Sequence, residues 1–227
     1  LVGAHICVTT SVASDRLEEV FVTASGIETA RRQIGTSVSV IEKGEIELRG
    51  YQSFTDLMST QMSITATGSG GLGKAANLRI RGEEGYRTLI LIDGVEISDP
   101  TGVQVGPQVQ HLLNSGDIER VEVLRGPQGF LYGADAGGVI SLLTRGAGEG
   151  SGGGLLAEYG SYDSRKLNAY LTTGSASGDL FVSVTELDTQ GFNARTAFPE
   201  SEDDGYNNLT SHMKVGWNLD ADAQPTR

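Results

Sequence analysis

The sequence has few cysteines, few basic residues and no long apolar run. These shortages argue in turn against a disulfide, a nucleic-acid partner and a membrane-spanning helix. Cys7 is the only cysteine among 227 residues, so no internal disulfide can form. The formal net charge of −12 at pH 7 argues against nucleic acid as a partner, because a nucleic-acid-binding surface is basic. No apolar run reaches the roughly 18 residues of a membrane-spanning helix, although the short alternating strands of a membrane barrel would escape such a search.

Glycine is the residue in excess, with 32 copies against only five prolines. The glycines punctuate many short apolar runs, which favours β-rich structure with tight turns over a disordered linker. The most strand-like runs lie at 77–82, 89–94, 118–127 and 137–144. Asp93 and Gly94 predict a tight turn at the end of the second run.

Arginines and carboxylates recur within these runs. Arg79 and Arg81 flank Ile80, and in a strand this spacing places both guanidinium groups on one face. Glu119 and Glu122 are candidate partners for them. The pattern predicts a small sheet with one apolar face and one charged, hydrogen-bonding face.

The segment before these runs carries signals of both strand and helix. Residues 36–41 alternate as a strand does. Ser53 begins a capping box that predicts a helix with Leu57 and Met58 buried. A weaker helical pattern covers residues 107–114.

Residues 68–74 read Gly-Ser-Gly-Gly-Leu-Gly-Lys and match the GxxxxGK pattern of a phosphate-binding loop. A nucleotide-binding protein is therefore one alternative function. Against it, Ala75 stands where the loop needs a hydroxyl for the metal, and the residues after Lys74 alternate as a strand rather than a helix. The other interpretation is a flexible glycine-rich loop without nucleotide.

The C-terminal part changes pattern after a Gly-rich stretch at 148–154, which predicts a hinge. Four runs of about ten residues then alternate apolar and polar side chains; they begin near Leu155, Leu167, Leu180 and Leu209. Short turns and one long acidic loop join them, as in an outer-membrane barrel. A soluble sandwich would show the same alternation.

Five motifs together resemble the plug domain of TonB-dependent outer-membrane transporters, most closely those of the cobalamin branch. They occur in the family's order, as Ile-Arg-Gly at 80–82, Leu-Ile-Asp-Gly-Val at 91–95, Ile-Glu-Arg-Val-Glu-Val-Leu-Arg-Gly-Pro at 118–127, Leu-Tyr-Gly at 131–133 and Gly-Gly-Val-Ile at 137–140. The resemblance is good over residues 18–146 and looser beyond them.

The resemblance implies a fold in two parts. Residues 31–147 would form an α+β plug domain, a small mixed sheet with short helices. Residues 155–227 would supply about the first four antiparallel strands of an incomplete transmembrane β-barrel. Four strands cannot close such a barrel, so the chain is expected to be a fragment of a longer protein.

Two segments precede the plug. Residues 1–14 are small and apolar and are interpreted as the remnant of a secretory signal peptide, with a buried strand as the alternative. Residues 15–30 would hold the family's TonB box and a linker, and the box comprises Glu19, Val20, Phe21, Val22, Thr23 and Ala24. A short extended segment of this kind can join a partner's sheet edge as an extra strand. The alternative is a first strand of the chain's own sheet.

The implied activity is transport across the Gram-negative outer membrane, with no enzymatic step. A scarce nutrient, either a metal–siderophore or a corrinoid such as cobalamin, would bind between plug loops and barrel loops. The periplasmic protein TonB would bind the TonB box and exert the force that moves the plug, and outer-membrane lipid would surround the barrel. The substrate-facing residues would include Ser69, Gly70, Gly71, Leu72, Gly73, Asp99 and Thr101. A soluble periplasmic plug-like binding module is a further alternative.

Two groups of charged residues acquire roles through the same resemblance. Residues of the first group would hold the plug by hydrated ion pairs with one another and with barrel carboxylates. The group comprises Arg79, Arg81, Glu119, Glu122 and Arg125. A salt-bridge cluster with no gating role is the alternative. Glu202 and Asp204 fall near calcium-binding positions of the cobalamin branch, and hard oxygen ligands suit that ion. A solvated loop without metal is the alternative there.

Overall fold

The structure is a computed structural model that describes residues 21–22, 29–30, 35–51, 53–101, 107, 109–112, 117–126, 132, 137–146, 150–194, 197 and 203–217. Residues 35–146 form an α+β body, called here the N-terminal unit. Its elements and the short ribbon before it are β1 (Phe21–Val22), β2 (Thr29–Ala30), β3 (Ser37–Glu42), α1 (Lys43–Arg49), α2 (Phe54–Ser59), β4 (Ile64–Gly68), β5 (Ala76–Ile80), β6 (Thr88–Ile92), β7 (Val95–Glu96), β8 (Ile118–Arg125) and β9 (Gly138–Thr144). Four strands follow, called the wall sheet: β10 (Gly150–Tyr159), β11 (Arg165–Ser175), β12 (Gly178–Thr189) and β13 (Tyr206–Trp217).

The central sheet of the N-terminal unit has the strand order β3-β8-β9-β6-β7. Strands β6 and β9 run parallel and the other neighbours run antiparallel, so the predicted mixed sheet is confirmed. Strands β8 and β9 are buried on both faces, which explains their nearly continuous apolar sequences. Helix α2 packs Phe54, Leu57 and Met58, all fully buried, into the core on one side of this sheet.

The helix predicted at Ser53 is confirmed at its capping residue. The Ser53 hydroxyl accepts a hydrogen bond from the backbone N–H of Asp56 at 3.0 Å. Helix α1 was not predicted, because Ile46 is its one buried side chain among the described residues and leaves no apolar periodicity to detect. Gly50 ends α1 in the left-handed conformation at φ 62°, and its N–H bonds to the Ile46 carbonyl. The weak pattern at 107–114 yields only a 3₁₀ turn, Val109–His111.

The run at 77–82 does not join the central sheet. Strand β5 pairs with β4 alone, and Leu78 and Ile80 point into the core while Arg79 lies on the other face. Arg81 comes after the strand, in a turn with φ 54°. The prediction that Arg79 and Arg81 share a strand face is therefore wrong, because the strand ends between them.

The hairpin predicted at Asp93 and Gly94 is confirmed. The two residues connect β6 to β7 with φ angles of 47° and 83°. Positive φ at both central positions is the geometry of the two-residue turn that the Asp-Gly pair favours.

The wall sheet has the order β10-β11-β12-β13, with each neighbour antiparallel, as the alternation predicts. Within the described residues this sheet is open, with β10 and β13 at its edges. Strand β10 begins at Gly150, so the predicted hinge is wrong for residues 150–154. Gly154 lies under the Tyr170 ring, where an added Cβ would come within 2.6 Å of a ring carbon. The glycine here gives room for close packing rather than for bending.

The two α-helices of the described chain are too short and too polar to cross a membrane.

Candidate functional site

A cleft of about 440 Å³ lies between the N-terminal unit and the wall sheet. Helix α2 and the loop that joins β4 to β5 form one side of it, and the β12–β13 loop forms much of the other. Its polar lining is mostly hydroxyl-bearing: Ser53, Thr55, Ser59, Thr67, Ser164 and Thr189. Two aromatic rings, Tyr162 and Phe192, also face it and lie 5.4 Å apart between centroids.

The loop of residues 68–74, called the glycine loop, lies directly against the β12–β13 loop. A Cβ on Gly70 would lie 3.5 Å from the Cβ of Ala194, and one on Gly73 would overlap the Tyr206 ring. Gly73 also has φ 74°, which a side chain tolerates poorly. The glycines are therefore needed for close approach of the backbone to the wall.

Lys74, at the end of the glycine loop, forms an ion pair with Asp204 of the β12–β13 loop. The Nζ to Oδ1 distance is 2.8 Å, and the other oxygen of Asp204 accepts a hydrogen bond from the Ala194 N–H at 3.3 Å. The two charged side chains are 39% and 29% exposed. This pair joins the two halves of the chain at the cleft.

The nucleotide-binding alternative for the glycine loop receives no support from this geometry. Strand β5 begins at Ala76, so the loop leads into a strand and not into the helix that a phosphate-binding loop requires. The ammonium group of Lys74 pairs with a carboxylate of the protein itself.

The calcium prediction for Glu202 and Asp204 stays a prediction. Glu202 lies outside the described residues, and Asp204 is held by Lys74. Among the described residues, no group of three His, Cys, Asp or Glu side chains is placed to hold a metal ion.

The other predicted substrate-facing residues divide into two sets. Gly70, Gly71, Leu72 and Gly73 line the cleft, whereas Asp99 and Thr101 form a separate exposed turn. In that turn the Asp99 carboxylate accepts hydrogen bonds from the Thr101 N–H at 2.9 Å and hydroxyl at 2.5 Å. Ser69 does not line the cleft, and its hydroxyl donates to the Ala75 carbonyl at 3.2 Å.

The predicted ion pairs among the arginines and glutamates take other partners. Arg79 pairs with Glu84 at 3.6 Å, Glu119 with Arg145 at 3.7 Å and Glu122 with Arg120 at 2.9 Å. Each of these three residues pairs with a neighbour from its own strand or an adjoining loop. The predicted pairing with barrel carboxylates stays a prediction.

Arg125 is held inside the N-terminal unit rather than at the wall. Its guanidinium donates to the Ser39 hydroxyl at 2.7 Å and to the Met62 carbonyl at 3.0 Å. Burial, followed by the charge of Arg81, lowers the pKa of Arg125 from its ordinary value.

Several contacts between the N-terminal unit and the wall sheet were not predicted from the sequence. The Ser183 hydroxyl donates to the buried carboxylate of Asp117 at 2.5 Å. Lys214 pairs with Asp93 at 3.3 Å. These residues are far apart in sequence, so no local pattern could have identified the pairs.

Arg145 makes a third contact of this kind. Its guanidinium carbon lies 4.3 Å from the centre of the Tyr170 ring in the wall sheet, a cation–π geometry. Its side chain is only 9% exposed, and Glu47 and Glu119 of the N-terminal unit lie 3.7 Å away. The contact therefore joins a charge balanced within the unit to an aromatic face of the wall.

Part of the predicted TonB box forms a ribbon within the chain. Phe21 pairs with Ala30 and Val22 with Thr29, so β1 and β2 make a separate two-stranded sheet. The other box residues, Glu19, Val20, Thr23 and Ala24, lie outside the described residues, as does the predicted signal remnant at 1–14.

Comparison with known proteins gives one matching family model and many relatives. The model of the TonB-dependent receptor plug domain matches residues 30–140. The "Vitamin B12 transporter BtuB" of Vibrio vulnificus (strain YJ016) is 30% identical over 198 residues, covering 85% of this chain and 31% of the relative. The "Iron-regulated outer membrane virulence protein" of Vibrio cholerae serotype O1 (strain ATCC 39541) is 37% identical over 139 residues, covering 56% and 20%. The chain thus spans a third or less of the length of these relatives.

Solved structures share the fold. The siderophore receptor PirA from Acinetobacter baumannii aligns with a TM-score of 0.65 at 21% identity, over 88% of this chain and 31% of that one. A chain of the structure titled "Structure of the FpvAI-pyocin S2 complex" aligns with a TM-score of 0.70 at 17% identity, over 88% of this chain and 26% of that one. In both, the aligned region includes the N-terminal unit and wall strands together, since it covers most of this chain.

Proposed function

This chain belongs to the TonB-dependent receptors, and from that premise we propose that the whole protein takes up a scarce nutrient across the Gram-negative outer membrane. The N-terminal unit acts as the plug, and the wall sheet is part of the barrel around it. The chain contributes binding and gating rather than catalysis.

The observation that carries this proposal is the reversed polarity of the wall sheet. Its outward face exposes apolar side chains, among them Leu155, Leu171, Met213 and Trp217. Its inward face, toward the N-terminal unit, buries polar side chains such as Asn168, Ser183 and Thr185. A sheet in water hides its apolar face, so this arrangement suits strands whose outward solvent is lipid. It also argues against the soluble binding module.

The ligand that the site supports best is a metal chelate, such as a ferric siderophore, or a corrinoid. A cleft of about 440 Å³ is large enough to hold part of such a molecule. Its hydroxyl groups and two aromatic rings suit a bulky ligand with many polar groups. The similarity to a vitamin B12 transporter and to siderophore receptors supports the same two classes.

Energy coupling would act through residues 19–24. Among the described residues β1 pairs with β2 through two residue pairs, and an isolated two-stranded ribbon has little stability of its own. Exchange of β2 for a strand of the TonB protein therefore costs little. The N-terminal β-ribbon would open and residues 19–24 would join the partner's sheet edge.

The contacts between the N-terminal unit and the wall sheet suit a plug that must move. Lys214 and Asp93 are 38% and 30% exposed, so their ion pair contributes little net stability. The core of the N-terminal unit, by contrast, is fully buried around Phe54 and Leu57. The plug can therefore shift against the wall without losing its own core.

Uptake by the full-length receptor tests this proposal. The gene that includes this chain would be expressed in a Gram-negative host lacking its own receptors for vitamin B12 and ferric enterobactin, with and without TonB. We expect uptake of at least one probe that requires TonB. Deletion of residues 19–24 should abolish that uptake and leave binding to intact cells unchanged. Uptake that persists without TonB, or loss of binding on deletion, would contradict the proposal.

A further inference from the structure

The ion pair between Lys74 and Asp204 is placed where a ligand in the cleft would meet it. Both residues line the cleft and both side chains are partly exposed, so solvent and solutes can reach the pair. They come from different units of the chain and are 130 residues apart in sequence. The pair is thus both a contact between units and a feature of the cleft.

We propose that Lys74 recognises an anionic group of the ligand and that Asp204 is its built-in competitor. The inference rests on the proposed function, since it takes the cleft as a ligand site. A ligand carboxylate or phenolate displaces the Asp204 carboxylate from the Lys74 ammonium. The displacement breaks the ion pair that joins the glycine loop to the wall, so that binding and loosening of the plug are one event.

The charges of the cleft support this exchange. Among the described residues that line it, Lys74 is the only cation, and it is accompanied by the two carboxylates Asp56 and Asp204. An entering anion is therefore repelled unless it takes Lys74 for itself. The competition selects ligands whose anionic group binds an ammonium better than one tethered carboxylate does.

The packing of the glycine loop explains why this one pair matters. Gly70, Gly71 and Gly73 approach the wall through their backbones and offer no side chain to interlock with it. Within the loop, Ser69 and Lys74 make backbone hydrogen bonds to Ala75 and Gly71, so the loop keeps its own shape. The loop can leave the wall as one piece once its charged contact is exchanged.

Two conservative substitutions distinguish this inference from a purely structural salt bridge. Lys74→Gln should weaken binding of an anionic ligand about tenfold, because a charge-assisted contact is lost. Asp204→Asn should tighten it by up to about fivefold, because the competitor is removed from a partly exposed pair. A structural pair predicts that both substitutions act in the same direction.

The probes are vitamin B12, its monocarboxylic acid made by hydrolysis of one side-chain amide, and ferric enterobactin, each titrated into the full-length receptor. The opposite shifts are expected for the two probes with a net negative charge and not for vitamin B12, whose single phosphodiester is balanced by the charge of its cobalt centre. Arg49→Gln is the matched control, since Arg49 and Glu45 form an equally short exposed pair of 2.7 Å on α1, and it should leave all affinities unchanged.

A disulfide tests the loosening step without a ligand assay. The Cβ–Cβ distance of 3.5 Å at Gly70 and Ala194 suits a disulfide, so Gly70→Cys with Ala194→Cys should cross-link the closed loop. The single Gly70→Cys variant, whose new Cβ lies the same 3.2 Å from the Lys74 Cγ, is the reference for uptake. Cross-linking should slow at least threefold when Asp204→Asn is added, and uptake should return only after reduction.

Equal cross-linking rates, full uptake by the oxidised variant, or affinity shifts of the same sign for Lys74→Gln and Asp204→Asn would overturn the inference. A wild-type receptor with no TonB-dependent uptake of any probe would instead overturn the proposed function, and the cross-linking rates would still decide about the ion pair.

Discussion

The central sheet and the wall sheet of this chain distribute polarity in opposite ways. The central sheet buries both faces of β8 and β9, with Val121, Val123 and Ile140 fully inaccessible. Strand β13 of the wall sheet alternates at every residue, and its more exposed side is the apolar one, with Met213 65% and Trp217 76% exposed. The two sheets are built for different surroundings, one for a protein interior and the other for a boundary between lipid and a polar lumen.

This difference also separates two kinds of attachment. Inside the N-terminal unit the packing is apolar and buried, while the contacts between the unit and the wall include exchangeable polar ones such as Ser183 with Asp117. Apolar burial resists any displacement, whereas a polar contact can be exchanged for water or for a ligand group. We therefore expect the plug to require more free energy to unfold than to move relative to the wall.

The largest loss should come from the core of the N-terminal unit. Phe54→Ala removes a fully buried ring from α2 and should lower the free energy of unfolding of the unit by about 3–5 kcal/mol. The measurement is the denaturant midpoint at which the plug of the full-length receptor becomes sensitive to protease. Leu48→Ala on α1, where the side chain is 88% exposed, is the control and should change the midpoint little. Equal losses in the two variants would contradict the distinction between core and surface.

The outward face of the wall sheet should be the next most sensitive. Leu171→Arg places a charge at an exposed apolar position in β11 and should reduce the free energy of membrane folding by about 2–4 kcal/mol if that position lies near the bilayer midplane. The yield of heat-resistant folded receptor in the outer membrane reports this loss. Val215→Arg, nearer the end of its strand, should cost less, and Leu171→Met should be neutral. Indifference to both arginines would indicate that the face is in water.

The smallest of the three effects should be at the contact between unit and wall. Ser183→Ala removes the hydrogen bond to the buried Asp117 carboxylate. The free energy needed to separate the N-terminal unit from the wall sheet should fall by about 1.5–3 kcal/mol. Release of the plug to periplasmic protease without ligand is the readout. Ser211→Ala, an outward-facing hydroxyl on β13, is the control. A loss for Ser183→Ala as large as that for Phe54→Ala would remove the contrast between the two kinds of attachment.

Local sequence patterns predicted the parts of the fold that local physics determines. The Asp-Gly turn at Asp93 and Gly94, the capping box at Ser53 and the alternation of the wall strands all follow from backbone and side-chain preferences within a few residues. Helix α1 was missed because one buried residue, Ile46, gives no period. The Gly-rich start of β10 was predicted to be a hinge because glycine occurs both where a chain bends and where an aromatic ring packs against the backbone. The sequence does not distinguish the two cases.

The candidate site was predicted in part. The glycine loop was selected for its composition, and residues 70–73 do line the cleft. The partner of Lys74 could not be found from the sequence, because Asp204 lies in another unit and is brought there only by the pairing of β12 with β13. The partners of Arg79, Glu119 and Glu122 could not be found for the same reason, because the identity of the charged residues does not determine which of them become neighbours.

Accessibility of the two faces of β11 to lipid and water tests the central claim most directly. Nitroxide labels would be placed at Leu171→Cys and Asn168→Cys of the full-length receptor in bilayers, in a background in which any native cysteine is replaced by serine. The account predicts that the label at 171 collides with lipid-soluble oxygen and is shielded from a water-soluble nickel chelate, while the label at 168 is shielded from oxygen by the N-terminal unit. Equal collision of both labels with the nickel chelate would show a sheet in water and would contradict the account.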